Sequence, residues 1–142
     1  MSGDERLAAA LRAEHAAIFG YGVIGAHLGR ASVDLARQAE QAHRDRRDAL
    51  LVRLAAKGAT PAPGEPAYTL PFPVTDRTSA LRLAVQIEDR TAAVWREALG
   101  DLNGDERRLG LDALTDCAVR AYRWRKVAGI TPPLVAFPGK PS

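Results

Sequence analysis

The chain has 142 residues, 46% hydrophobic and 26% charged, a balance that suits one domain with one core and excludes a disordered or fibrous polypeptide. No apolar run approaches the ~20 residues needed to span a bilayer, and the polar start Met1-Ser-Gly-Asp-Glu-Arg lacks a signal-peptide pattern, so no membrane association is expected. A net charge of +3 rests mainly on arginine, and the single cysteine, Cys117, excludes an internal disulfide and fits the reducing cytoplasm, the expected location.

Four helical segments follow in chain order, separated by Gly, Pro and turn signals. They are expected over about 4–28, 32–57, 76–99 and 105–128. The short breaks between the first two and between the last two make each pair an antiparallel hairpin. Residues 58–75 form a crossover rich in proline (Pro61, Pro63, Pro66, Pro71, Pro73). Fully extended at ~3.3 Å per residue it reaches roughly 60 Å, against about 38 Å for a helix of this length. It can therefore climb the bundle and set the third helix parallel to the second. Tyr68, Leu70, Phe72 and Val74 give it apolar anchors. The tail, 129–142, is apolar and proline-rich and is expected to lie extended against the bundle or a partner subunit.

Helical phase points to the residues that carry chemistry. Glu14 shares the first helix's apolar arc with Leu7, Leu11, Ile18 and Tyr21, and Glu88 lines up with Leu81, Val85, Ala92 and Trp95. On the second helix Glu40 and His43 form a Glu-x-x-His pair, the spacing with which bundle proteins hold metal. Three buried carboxylates require partners. The fourth helix presents Cys117 and Arg120 where a second Glu-x-x-His would stand, and Asp116 points about 100° away from Cys117. Arg47 lies one turn beyond His43. These residues point to an all-α, ferritin-like antiparallel four-helix bundle with one long crossover between helices two and three. Its core is expected to hold Glu14, Glu40, His43, Arg47, Glu88 and Arg120 as a metal-free polar network with no cofactor.

The alternative is a single Fe, Mn or Zn ion on Glu14, Glu40, His43 and Glu88, three hard oxygen donors and one nitrogen, in a metal-dependent oxidase or a metal-binding protein. A dinuclear site with unusual ligands is the remaining metal possibility. A third possibility is a helical protein–protein interaction module, docking through the glycine face of helix one or the Phe137-Pro-Gly tail. His15, Gly22 and Gly25 are interface candidates, since glycines inside a helix suit close approach of another backbone. A homodimer is therefore expected. The protein partner, if any, is not identified by the residues. The basic stretches Arg44-Asp-Arg-Arg and Arg120–Lys126 read as solvated helix faces, so no nucleic-acid partner is expected.

The stretches Leu11-Arg-Ala-Glu-His-Ala-Ala-Ile-Phe-Gly-Tyr-Gly, Ala42-His-Arg-Asp-Arg-Arg-Asp, Tyr68-Thr-Leu-Pro-Phe-Pro-Val, Ala93-Val-Trp-Arg and Ala136-Phe-Pro-Gly carry a family resemblance. The chain resembles, over nearly its whole length, a ferritin-like domain family of unknown function found mainly in actinobacteria. The resemblance implies the ferritin-like fold and supplies no activity. Against the metal-binding ferritin pattern Glu14, Glu40, His43 and Glu88 match, whereas Cys117 and Arg120 depart from it, which argues against iron oxidation and storage.

Overall fold

A computed structural model describes residues 1–140; of the expected tail, 141 and 142 lie outside the described residues. The chain forms four helices, α1 (Gly3–Gly25), α2 (Arg30–Ala56), α3 (Arg77–Leu99) and α4 (Gly104–Ala128), and no strand among the described residues. Local chemistry sets the ends. The Ser2 hydroxyl accepts the Glu5 N–H at 3.1 Å, satisfying a donor that the first turn of α1 leaves free. Asp76 and Ser79 cap α3 reciprocally, each side chain accepting a backbone N–H of the other. Gly129 ends α4 in the left-handed region at φ 71°, where a side chain is strained. α1 stops at Gly25, before Leu28, because the chain turns there with the His27 N–H on the Ile24 carbonyl.

α1 packs between α2 and α3, α3 also packs on α4, and the seam between α2 and α4 is the thinnest. Lys57, just past the end of α2, pairs with Asp4 at 2.6 Å and Glu106 at 2.5 Å, so α2 ends where α1 and α4 begin. α3 begins at the opposite end, with Leu81 packed among Tyr21 and Ile24 near the end of α1. α2 and α3 thus run parallel, and the crossover climbs the bundle between them. Gly64 of the crossover lies against His15, Tyr68 packs on Phe19 with ring centroids 5.5 Å apart, and Leu70, Phe72 and Val74 close onto the core.

The core has two apolar parts. Tyr21, Ile24, Leu81, Leu83 and Trp124 fill one end, and Leu7, Leu11, Leu50, Leu54, Trp95 and Leu102 fill the other. Between them, at mid-height of every helix, lies a buried layer of Glu14, His43, Glu88 and Cys117. The tail turns back over the α3–α4 face. There the Arg96 guanidinium donates to the Pro138 carbonyl at 2.8 Å, and a Cβ on Gly139 would meet the Ala92 carbonyl oxygen at 2.7 Å. Leu134 and Phe137 remain exposed. No helix among the described residues is long and apolar enough to cross a membrane.

Candidate functional site

His43 stands at the centre of the polar layer, its ring fully buried between two carboxylates of α1 and α3. Nδ1 lies 2.5 Å from Glu14 Oε2 and Nε2 lies 2.7 Å from Glu88 Oε1. An imidazolium, which donates from both ring nitrogens, satisfies both carboxylates at once, whereas a neutral ring has one N–H to give. Burial alone pulls the His43 pKa down. The hydrogen bonds to Glu14 and Glu88 and the charges behind them outweigh it and raise the value from 6.5 to about 9.

Each glutamate is then served twice more. The Trp95 indole N–H donates to Glu14 Oε1 at 2.9 Å, and Arg46 reaches the same oxygen at 3.4 Å. The Tyr21 hydroxyl donates to Glu88 Oε1 at 2.9 Å, while Arg120 approaches both Glu88 oxygens at 3.4 Å. Trp124 donates its indole N–H to the Tyr21 oxygen at 2.9 Å, which leaves the phenol one proton and one direction in which to give it. Burial, then the charge and hydrogen bond of Glu88, push the Tyr21 pKa well up, so the phenol stays neutral. The Tyr21 and His43 rings stack with centroids 5.6 Å apart.

Asp116 completes the arrangement from α4, accepting from Arg46 at 2.9 Å and from Arg120 at 2.9 Å. Burial would raise its pKa, but the hydrogen bonds from Arg120 and Arg46 hold it below the usual carboxylate range. Three acids (Glu14, Glu88, Asp116) therefore face three cations (His43, Arg46, Arg120), and the layer is neutral as a whole. Balanced and hydrogen-bonded throughout, such a set avoids the several kcal/mol per ion that an unpaired buried charge costs.

Of the residues singled out by helical phase, Glu14, His43, Glu88 and Arg120 meet in this layer. Glu40 does not. Its carboxylate is 29% exposed and pairs with Arg44 at 3.2 Å, one turn along the outer side of α2. Arg47 also lies outside, paired with Asp48 at 3.0 Å, and Arg46 takes the inward place instead. The buried stripe of α2 explains both. Taking His43 as zero, Ala36, Ala39 and Leu50 fall between about −40° and +20°, so the stripe leans to the side on which Arg46 lies, while Glu40 and Arg47 lie about 40–60° the other way. Asp116, set aside because it points away from Cys117, is met by long arginine side chains that bend out toward it. Helical phase counts Tyr21, Trp95 and Trp124 simply as large apolar residues; their polar ends can be traced only once the helices are packed.

The interface candidates divide. His15 is covered by the crossover of its own chain, with a Cβ on Gly64 falling 3.1 Å from Nδ1, and its Nε2 has no partner among the described residues. Burial first, and then the charge of Arg47, lower its pKa. Around Gly22 and Gly25 an added Cβ would meet nothing.

The donor atoms of His43, Glu88 and Cys117 lie within 4.8 Å of one another, so the layer does contain a group of metal-ligating types. Each donor is already committed. His43 has given both ring nitrogens to hydrogen bonds, and burial followed by the charges of Glu88 and Glu14 pushes the Cys117 thiol well up, away from the thiolate that binds metal.

No protein of curated function matches the chain. Among solved structures it is similar to a conserved hypothetical protein, rv2844, from Mycobacterium tuberculosis, with a TM-score of 0.87 and 38% identity over 96% of this chain and 97% of that one. A family model matches residues 6–142, and the chain belongs to the family that model describes, a domain of unknown function (DUF4439).

Proposed function

We propose that this protein is a ferritin-like bundle that works without metal and without catalysis. In this reading the place where such bundles hold ions is filled by the protein's own cations, and the product is a rigid helical scaffold. One observation carries it: both nitrogens of His43 are bonded to carboxylates, at 2.5 and 2.7 Å. Ligands bound to one ion at ~2.0–2.2 Å each spread around it, and N···O separations this short leave no room for the ion between them. The positive charge that a metal would bring is supplied by His43, Arg46 and Arg120. The rest of a dinuclear ligand set is missing as well, since Arg120 and Cys117 stand where a second Glu-x-x-His is needed.

Metal analysis tests the proposal. Purified protein is incubated with Fe(II), Mn(II) or Zn(II), desalted and measured for metal per chain. Far less than one equivalent is expected, with no oxygen uptake on Fe(II) addition. One tightly held equivalent that disappears in His43→Ala would overturn it. The proposal further takes the protein as a homodimer meeting across Gly22 and Gly25, where another backbone has room to approach; a solution mass of one chain would remove that part.

A further inference from the structure

Away from the polar layer, α1, α3 and the crossover line a half-open cavity of about 260 Å³. Its walls are mostly apolar, with Thr69 and Thr91 among them. Ala13, Ala16 and Ala17 form one side, Leu83 and Ile87 the other, and Leu70 of the crossover the roof. The roof is held by packing of Tyr68 on Phe19, by the Glu65 N–H bonded to the Tyr68 hydroxyl at 2.9 Å, and by the Arg82 guanidinium lying 4.7 Å from the centre of the Phe72 ring. The lining also includes Gln86 and Arg90. With the Gln86 amide turned to suit its neighbours, its oxygen accepts from the Arg90 guanidinium at 2.8 and 3.2 Å. Arg90 lies exposed at the mouth of the cavity and forms no ion pair among the described residues; its side-chain partner is the neutral Gln86 amide, which leaves the guanidinium open to an anion.

We propose that this cavity binds a small apolar monoanion, an alkyl or aryl carboxylate whose hydrocarbon part enters between α1 and α3 and whose carboxylate meets Arg90. The volume is a little below the ~300 Å³ at which ligand pockets usually begin, which selects a short chain or a single ring over a larger ligand. Apolar walls with one cation at the edge are complementary to that chemistry, and guanidinium pairs with carboxylate through two parallel hydrogen bonds. Alanines along α1 leave the space open, and a large side chain in their place would fill it.

Octanoate and the neutral octanol serve as probes in titration calorimetry with the full chain. Both are expected to bind at one site, octanoate more tightly. Arg90→Met is expected to weaken octanoate roughly fivefold while leaving octanol unchanged, the loss of one partly exposed ion pair. Ala16→Trp is expected to abolish both, with helical content checked by circular dichroism. Amide chemical-shift changes on octanoate addition to the unmodified protein give a readout that needs no variant, and they should centre on Ala13, Gly20 and Leu70. Absence of binding by either probe, an octanoate affinity indifferent to Arg90→Met, or shifts centred elsewhere on the bundle would each overturn the proposal.

Discussion

The Glu14 carboxylate and the His43 imidazole are joined between α1 and α2 at 2.5 Å, both fully buried. Neither group has water to fall back on, so each depends on the other and on the remaining members of the layer. Glu14→Gln keeps the size but leaves three cations facing two acids. A loss of about 3–5 kcal/mol of stability is expected in denaturant titration. Glu40→Ala, on the outer side of the same helix pair, removes a part-exposed pair with Arg44. It is expected to change stability by less than about 0.5 kcal/mol. Equal losses would mean that Glu40 belongs to the layer after all.

The raised pKa of His43 sets a pH dependence. The folded protein holds the imidazolium proton more tightly than the unfolded chain does, so this stabilisation is complete below about 6.5 and is lost as pH rises toward about 9. At about 1.4 kcal/mol per unit, the decline over that window is about 3 kcal/mol. Urea titrations at a series of pH values would show it, and His43→Gln should flatten the slope. A stability independent of pH across this range would contradict the imidazolium assignment.

Tyr21→Phe isolates the chain of donors that runs from Trp124 through the Tyr21 hydroxyl to Glu88. Removing one oxygen leaves the buried indole N–H without an acceptor and Glu88 with one donor fewer. The expected loss is about 1–3 kcal/mol, with the unfolding transition still cooperative. A neutral substitution would show that neither end of the chain needs the hydroxyl.

The bundle was legible in the sequence because apolar periodicity, glycine and proline breaks, and the reach of residues 58–75 all depend on local chemistry. Glu14, Glu88 and His43 were legible for the same reason, each lying mid-stripe on its helix. Arg46 and Glu40 were not. Both lie about 60° from His43, on opposite sides, and which of them turns inward depends on where α1 and α4 sit against α2. Asp116 was missed because helical phase places a Cα, while the arginines that meet it are long enough to carry a charge some ångströms off that line. The cavity beside Arg90 follows from how the crossover lies across α1 and α3, which no single stripe encodes.

Nitrogen-15 NMR of the His43 ring bears most directly on a core that supplies its own positive charge. At pH 7 both ring nitrogens are expected to carry slowly exchanging protons, to keep them until about pH 9, and to be unmoved by an equivalent of Zn(II). A ring with one bare nitrogen at pH 7, or one whose signals shift when the zinc is added, would contradict it.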